Sequence, residues 1–354
     1  MTLQTLADEL GVSRMTVSNA FSRPDQLSAE LRDRILAVAV ERGYTGPDPA
    51  ARALARGAVG TIGLLLTDAL QHAFTDEIAT RLLAAISEEL AESGRGLTLL
   101  GSGSRGDLVP ARDVPLDGAL VYHCEVSSVA VDWLTRRKLP LVFVDQAPVR
   151  GYPCLNVDDR GGARAAAQHI VDLGHRRVAL ITKAGGASGR LQPSSMRHEQ
   201  FTTRRRMEGW LDALTPAGIT PMLLNAATST EEAGAAAAAV LLDLPADERP
   251  TAVLAYSDRI ALGAMQALQD HGLAVPGDVS IVGFDDASFA ERTRPTLTTV
   301  RQDVARKGRE ATALLCAAID SRAPQRTDHR LLPTELVVRR STQALSAART
   351  ASAT

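Results

Sequence analysis

Aromatic residues are scarce in this chain, at 3% of its 354 residues. Hydrophobic residues together make up 45%, which is an ordinary share for a soluble globular protein. The cores must therefore be built mainly from Ala, Leu, Val and Ile. The length is sufficient for two or three domains.

Cysteine is also rare, and Cys124, Cys154 and Cys316 lie far apart in the sequence. Neither these cysteines nor the seven histidines show the spacing of metal ligands. We therefore expect free thiols in a reducing compartment, with no metal site and no cofactor.

Long apolar runs are missing as well. The longest aliphatic run, around Ile62 to Leu66, is far too short to span a bilayer. Asp8 and Glu9 interrupt what would be the apolar region of a signal peptide. We expect a cytoplasmic protein without a membrane partner.

The chain has no excess of positive charge. Its formal net charge is −2, and residues 1–57 contain seven Arg, no Lys and seven acidic residues. This composition predicts no general attraction to nucleic acid. Any binding to DNA would depend on the local arrangement of side chains.

From Gly60 onward, short aliphatic runs alternate with longer amphipathic stretches. TIGLLL, LPLVFVD, TAVLAYSD and VSIVGFD are examples of such runs. Strands that are buried on both faces have this composition, and the alternation predicts parallel α/β layers. About 280 residues is large for one core and suits two similar lobes.

We predict a core over residues 60–340, with one lobe at about 60–158 plus 287–300. The second lobe is expected at about 159–286 plus the C-terminal part. Ligands of open α/β sheets bind outside the carboxyl ends of the strands, so residues there are candidates for a site. Residues 341–354 lack periodicity and are expected to form a disordered tail.

Residues 1–44 predict three short helices arranged as a helix-turn-helix. Ala7, Gly11 and Val17 supply the small residue, the turn glycine and the buried apolar residue that let the second helix cross closely over the first. Ser13 can cap the second helix, and a third helix follows from Ser28.

The outer face of the second helix carries Arg14, Met15, Ser18 and Asn19. Arg can form paired hydrogen bonds with guanine, Asn can do so with adenine, and Ser suits phosphates. This face is a candidate for reading DNA, and a solvated helix face without a partner is the alternative.

Residues 45–59 form a joint with one candidate helix. Asp48 can cap it, and Pro49 suits its first position. The helix would have only about two turns, which is marginal in isolation. Leu54 is its one large apolar side chain and could enter a DNA minor groove as a wedge. A plain interdomain linker is the alternative.

Several stretches, in order along the chain, resemble the lactose repressor (LacI/GalR) family of bacterial transcription regulators. The resemblance covers residue 3 to about residue 340. It is carried by TLQTLADELGVSRMTVSNAFSRPDQLSAELRDRILAVAVERGY from Thr2, LGHRRVALI from Leu173, SDRIALGAMQAL from Ser257, PGDVSIVGFDD from Pro276 and PTLTTVRQD from Pro295.

The resemblance implies a homodimer whose helix-turn-helix domains read a near-palindromic operator in double-stranded DNA. It also implies a core that is similar to periplasmic sugar-binding proteins, with two parallel-sheet lobes. A small polar effector, of the sugar or nucleoside class, would bind between these lobes and control a repressor.

The family's motifs assign roles to individual positions. The base-reading residues and the phosphate contact in DNA binding, together with the minor-groove wedge, are Arg14, Met15, Thr16, Ser18, Asn19 and Leu54. The effector-binding residues are Phe74, Tyr122, Asp145, Arg206, Ser257 and Asp285. An unusually long segment before RRRMEGW leaves open whether Arg204 or Arg205 takes the role of Arg206.

The alternative function is a sugar-binding module without regulatory DNA binding. An enzyme is not expected, because the sequence shows no pairing of a nucleophile with a base. Asp285 and Asp286 are adjacent at a strand end, so their side chains diverge and make a poor acid–base pair. The identity of the effector, and whether it weakens or strengthens DNA binding, do not follow from the sequence.

Overall fold

The structure is a computed structural model that describes residues 1–66, 71–103, 108–123, 128–192, 200–321 and 327–345. Cys154 is a buried free thiol and Cys316 a half-buried one, while Cys124 lies outside the described residues. Among the described helices, none is both long enough and apolar enough to cross a membrane.

The N-terminal unit comprises Met1–Gly60 with Pro115–Asp117. Its elements are α1 (Leu3–Leu10), α2 (Arg14–Ser22), a short 3-10 helix (Pro24–Gln26), α3 (Ala29–Glu41) and α4 (Pro49–Arg56).

The first three helices form the predicted helix-turn-helix. Gly11 ends α1 in the left-handed conformation, with φ of 65°. Ser13 caps α2, where its side chain accepts a hydrogen bond from the Thr16 N–H. Val17 is fully buried in a core with Leu6, Ala7, Ala20, Ile35 and Ala39. The predicted packing of α2 across α1 is confirmed.

The joint contains the expected short helix α4. Asp48 Oδ1 accepts a hydrogen bond from the Ala51 N–H at 3.0 Å, which satisfies one of the open donors of the first turn. Within the same unit, the Asp117 carboxylate accepts hydrogen bonds from the N–H groups of Val59 and Gly60, at 2.6 and 2.7 Å.

The first lobe of the core has one parallel sheet of six strands. Its elements are β1 (Thr61–Leu66), α5 (His72–Thr75), α6 (Glu77–Ser93), β2 (Gly96–Gly101), α7 (Pro110–Asp113), β3 (Gly118–Tyr122), α8 (Val129–Arg136), β4 (Leu141–Val144), β5 (Cys154–Val157), α13 (Val304–Ser321) and β12 (His329–Leu332). The strand order is β12-β5-β4-β3-β1-β2.

The second lobe has a five-stranded sheet. Its elements are α9 (Asp159–Asp172), β6 (Val178–Thr182), β7 (Gly189–Arg190), α10 (Phe201–Leu214), β8 (Met222–Asn225), α11 (Glu231–Leu242), β9 (Ala252–Ala255), α12 (Asp258–Asp270) and β10 (Ser280–Val282). The strand order is β10-β9-β6-β8-β7, and only the edge strand β7 is antiparallel to its neighbour.

These two sheets confirm the predicted α/β core of two parallel-sheet lobes. The central strands are buried along their length, as β6 shows, which is typical of sheets that helices cover on both faces. A small third sheet pairs β11 (Thr299–Gln302) with β13 (Thr334–Val337) in antiparallel fashion. The chain leaves the second lobe through β11 and returns to it through β13.

The predicted division of the C-terminal third between the lobes is wrong. Ala290, Leu297 and Val300, which we expected in the first lobe, pack in the core of the second. The segment from α13 to β12, which we expected in the second lobe, belongs to the first. β12 pairs with β5, and Ala311 and Leu315 are buried in the first lobe's core. The sequence shows which stretches have an apolar face, but it does not show the order of the strands in space. It therefore could not reveal where the chain crosses between the lobes.

The prediction of a disordered tail is wrong for residues 341–345. Ser341 is fully buried, and its hydroxyl donates to the Ile281 carbonyl and accepts from the Thr298 N–H. Leu345 N–H donates to the Leu173 carbonyl at 2.9 Å. These polar partners order a segment that has no apolar periodicity. Residues 346–354 of the expected tail lie outside the described residues.

The close packing of α11 against α12 leads to a first testable prediction. A Cβ at Gly263 would lie 1.9 Å from the carbonyl oxygen of Glu231. In a free helix Gly→Ala stabilises by about 1 kcal/mol, but here the helices would have to separate. Gly263→Ala should lower the free energy of unfolding by about 1–3 kcal/mol, measured as the urea midpoint of the full chain. Gly103→Ala is the control, because nothing lies within 4 Å of that position. A higher midpoint for Gly263→Ala would contradict this packing.

Candidate functional site

A cavity of about 130 Å³ lies between the two lobes. Both lobes contribute strand ends and helix starts to it, where ligands of open α/β sheets bind. Its lining residues are Leu66, Ala73, Asp76, Ile78, Ala79, Tyr122, His123, Asp145, Lys183, Thr202, Arg206, Ser229, Tyr256, Asp285 and Gln302.

Arg206 is the central cation of the cavity. The residue is only 5% exposed, and its guanidinium lies over the rings of Phe284 and Tyr256, at 3.6 and 4.6 Å from the ring centroids. It donates to Asp159 Oδ1 at 2.8 Å, to Asp285 Oδ1 at 3.4 Å and to the Tyr256 carbonyl. A guanidinium has five N–H groups. Two therefore have no acceptor among the described residues and are available to a ligand.

Asp285 is a buried acceptor opposite Arg206. It also accepts from Gln302 Nε2 at 2.7 Å. Burial raises the pKa of Asp285 to about 6, although the charge of Arg206 acts in the opposite direction. Burial likewise raises the pKa of Asp159 above its usual range, again against the attraction of Arg206. Both carboxyl groups therefore take up a proton more readily than an exposed carboxyl group does.

A second buried cation lies in the first lobe. Lys307, on α13, is fully buried, and its Nζ donates to Asp145 Oδ2 and to Gln302 Oε1, the latter at 2.9 Å. Because Gln302 also donates to Asp285, a continuous chain of polar contacts runs from Asp145 in one lobe to Asp159 in the other.

Three residues at the cavity have a strained backbone: His123 and Asp145 directly follow β3 and β4, and Asp285 lies three residues after β10. His123, Asp145 and Asp285 have φ of 56°, 54° and 117°. A side chain in the left-handed region costs on the order of 1 kcal/mol or more, and such strain is concentrated at functional sites. The turn in the backbone directs these side chains across the strand ends.

Two hydrogen-bonded pairs join the lobes beside the cavity. His123 Nε2 and Gln200 Oε1 are 2.7 Å apart. The Glu77 carboxylate accepts from Ser288, from its N–H at 2.8 Å and from its hydroxyl at 3.1 Å. These contacts are partly accessible to water, so they can open at modest cost.

In the N-terminal unit, the outer face of α2 is open to solvent. Arg14 is exposed, and Met15 is 69% exposed. The Thr16 hydroxyl contacts the capping Ser13 hydroxyl at 2.8 Å, and the amide of Asn19 donates to Gln26 Oε1 at 3.0 Å. On α4, Leu54 is 87% exposed, which is unusual for a large apolar side chain.

Comparison with known proteins identifies the chain. Residues 2–46 match the family described as bacterial regulatory proteins, lacI family, and residues 167–342 match the periplasmic binding protein-like domain. An HTH-type transcriptional regulator of Mycolicibacterium smegmatis is 38% identical over 331 residues, which is 89% of each chain. The HTH-type transcriptional repressor CytR of Escherichia coli is 32% identical over 357 residues, which is 97% of each chain. This chain belongs to the lacI family of bacterial regulatory proteins.

The family assignment holds for the three-dimensional structure too. The crystal structure of the lac repressor dimer bound to operator and the anti-inducer ONPF is similar, with a TM-score of 0.77 and 25% sequence identity. The match covers 97% of this chain and 99% of that chain. The protein is a helix-turn-helix transcriptional regulator, as the sequence predicts.

Four of the six effector positions predicted for this lacI-family regulator come together at the cavity: Tyr122, Asp145, Arg206 and Asp285. Ser257 does not line the cavity. It caps α12 by accepting from the Ile260 N–H, and its hydroxyl lies 2.7 Å from that of Ser229, which does line the cavity.

Phe74 also departs from the expectation, because it is 67% exposed and absent from the cavity lining. The short helix α5 turns the neighbouring Ala73 inward and leaves Phe74 facing solvent.

The structure distinguishes the three consecutive arginines at the start of α10. Arg204 is exposed, with its guanidinium 5.9 Å from the Phe201 ring centroid. Arg205 donates to Glu208 at 2.6 Å. Of the three, Arg206 lines the cavity, because the helical rotation at that position points it toward the strand ends.

Sequence reasoning did not find Lys307, Gln302 or Asp159 as parts of the lacI-family regulator's site. Gln302 lies inside the quoted stretch PTLTTVRQD, and Asp159 follows a strand end. The composition gave a further indication, because the chain has only three Lys beside 36 Arg and each Lys is therefore unusual. Lys183 lines the cavity and Lys307 lies behind it, so two of the three lysines are at this site.

The raised pKa of Asp285 makes the stability of the folded protein depend on pH in a definite direction. A carboxyl group whose pKa is raised on folding stabilises the protein below its ordinary pKa of 3.8, and this contribution is lost as the pH rises through about 6. Asn at this position cannot ionise. The melting temperature of Asp285→Asn relative to the wild type should therefore rise between pH 4 and pH 6, by the equivalent of about 2–3 kcal/mol, in thermal melts across this range.

Arg206, Gln302, Asp76, Asp258 and Lys307 act on Asp285, so both proteins should be compared with these residues unchanged. A relative melting temperature that falls between pH 4 and pH 6 would mean that the Asp285 carboxyl is ionised more easily than an ordinary one.

Proposed function

We propose that this lacI-family regulator is a repressor that binds near-palindromic operator DNA as a homodimer. A small polar effector of the sugar or nucleoside class, bound between the two lobes, controls this binding. The main observation that supports this proposal is the charged cavity between the lobes, in a chain whose helix-turn-helix also has a solvent-exposed outer face. The similarity to a lac repressor dimer bound to operator and the anti-inducer ONPF supports binding of operator DNA by a dimer and binding of a small molecule.

The reading surface is the outer face of α2. Arg14 and Met15 are free to meet base edges, and Ser18 and Asn19 follow on the same face. Asn19 would exchange its hydrogen bond to Gln26 for one to a base. Thr16, at the start of α2, suits a phosphate contact, because the N-terminus of a helix favours an anion.

Leu54 is proposed as the wedge that enters the minor groove. Its exposure of 87% costs free energy in water, and insertion between base steps would remove the side chain from water. The short helix α4 would be stabilised by packing against its counterpart in a dimer.

The effector is proposed to bind between Arg206 and the carboxylates of Asp145 and Asp285. Arg206 has N–H groups to offer, and Asp145 Oδ1 is a buried acceptor that has no hydrogen-bond partner among the described residues. A hydroxyl group both donates and accepts, so vicinal hydroxyls suit this mixture. Regulation follows if the effector binds one arrangement of the lobes more tightly than another. The Glu77–Ser288 and His123–Gln200 contacts are the ones that lobe opening would break.

The alternative of a sugar-binding module without DNA binding is less well supported, because residues 2–46 match the lacI family of bacterial regulatory proteins and form a helix-turn-helix.

The wedge is tested by Leu54→Ala, using an operator obtained by selecting bound DNA from a random pool. Loss of buried apolar surface should weaken operator affinity by about tenfold or more in a gel-shift titration. Effector binding and thermal stability should not change, since the side chain is exposed in the free protein. Leu108→Ala is the matched control, because Leu108 is 68% exposed and lies in the two-lobed part of the chain, outside the helix-turn-helix and the joint. Equal operator affinity for Leu54→Ala and the wild type would exclude the wedge.

The effector arginine is tested by Arg206→Lys, which keeps the charge beside Asp159 and Asp285 but removes the planar fork of donors. A thermal-shift screen of sugars and nucleosides first identifies an effector. The variant should then need at least about tenfold more effector to change operator binding. Arg204→Lys is the control on the exposed face of the same helix turn. If Arg204→Lys lost the response and Arg206→Lys kept it, the roles would be reversed.

A further inference from the structure

Lys307 is a buried cation for which the proposed contacts to effector give no role. It lies near the start of α13 with no exposed surface. Its Nζ donates to Asp145 Oδ2 and to Gln302 Oε1 at 2.9 Å, and the centroid of the Tyr122 ring is 5.9 Å away. Removing an ammonium group from water is strongly unfavourable unless such partners replace the water. The site therefore holds Lys307 in one position.

The contacts of Lys307 determine what Asp145 offers to the cavity. One carboxylate oxygen of Asp145 is occupied by Lys307, and the other, Oδ1, is buried without a hydrogen-bond partner among the described residues. Gln302 is oriented in the same way, because its Oε1 accepts from Lys307 and its Nε2 donates to Asp285. Lys307 thus directs an acceptor, and not a donor, toward a ligand.

The charge of the buried network disfavours an anion. Its three carboxylates, Asp145, Asp159 and Asp285, face two cations, Arg206 and Lys307, which leaves one excess negative charge. The charge of Arg206 is already matched by Asp159 and Asp285. At the lining, Asp76 and Lys183 add one charge of each sign. A phosphate would meet unpaired carboxylate oxygens, whereas a hydroxyl can donate to them.

The size of the cavity points to one small ring. Its volume of about 130 Å³ is below the roughly 300–1,000 Å³ of pockets for drug-sized ligands. It suits a monosaccharide better than a disaccharide or a nucleoside.

We propose that Lys307 is a specificity-determining residue that, by fixing Asp145 and Gln302, selects a neutral polyhydroxylated effector of monosaccharide size and excludes its phosphorylated forms. This inference rests on the proposed function, because it assumes that the effector binds in this cavity. Lys307 acts through Asp145 and does not touch the effector.

The wild-type test uses the full chain and four monosaccharides in thermal-shift and calorimetric titrations. The probes are D-ribose, D-glucose, D-galactose and D-fructose, each paired with a phosphate monoester, and cellobiose and adenosine serve as larger probes. At least one neutral monosaccharide should stabilise the protein, and its phosphate should bind at least tenfold more weakly. The inference is overturned if no neutral monosaccharide binds, or if a phosphate, cellobiose or adenosine binds as well as the best of them.

Variants separate a role in specificity from a structural one. Lys307→Met should weaken binding of the neutral monosaccharide by roughly 10- to 100-fold, the loss that follows removal of a hydrogen bond to a charged group. The double variant Asp145→Asn/Lys307→Met removes both charges, so it tests the same loss if the single variant fails to fold. Arg309→Met, at an exposed residue of the same helix, is the control and should bind normally.

Asp145→Asn alone leaves the Lys307 charge without its carboxylate and brings the buried network to neutrality. It should bind the phosphate monoester at least tenfold more tightly than the wild type does, a gain that a merely structural role could not produce. Unchanged monosaccharide affinity in both Lys307 variants, or no gain in Asp145→Asn, would overturn the role of Lys307. The proposed function fails separately, if no probe of any class changes operator binding in a gel-shift assay.

Discussion

The structure of the site depends on the need to pair charges that are removed from water between the two lobes. Arg206 and Lys307 are both buried, and each would be strongly destabilising without a carboxylate beside it. The first lobe supplies Asp145, and the second supplies Asp159 and Asp285. Gln302 joins the two halves, since it contacts Lys307 and Asp285 at once. The same interactions therefore organise the cavity and link the lobes.

The fold brings these charged side chains together at the cavity because the parallel strands end at one edge of each sheet, with a helix beginning just beyond. Close helix packing then sets the distances. On α10, a Cβ at Gly209 would lie 2.2 Å from the Arg160 carbonyl oxygen of α9, so glycine permits the approach that brings Arg206 within 2.8 Å of Asp159. Asp145 and Asp285 have positive φ angles, so the backbone is strained at the two residues whose carboxylates line the cavity.

The N-terminal unit is stabilised by different means. Its helix-turn-helix has a small core of its own, whereas α4 is short and leaves Leu54 exposed. A helix of eight residues is marginal in water and gains stability from whatever packs against it.

Local patterns in the sequence were sufficient for the helix-turn-helix, the short helix of the joint and the alternating α/β core, whereas the placement of Arg206 and Asp285 at one site followed from the resemblance to the lactose repressor family. Hydrophobic period, caps and strand ends act over a few residues, so they can be recognised without the fold. The ordered segment 341–345, the exposure of Phe74 and the pairing of Lys307 with Asp145 could not be recognised in this way. Lys307 and Asp145 are 162 residues apart, and a lysine in an amphipathic helix ordinarily faces water. Only the tertiary structure decided that this one is buried, because burial of a charge depends on which distant carboxylate the fold brings beside it.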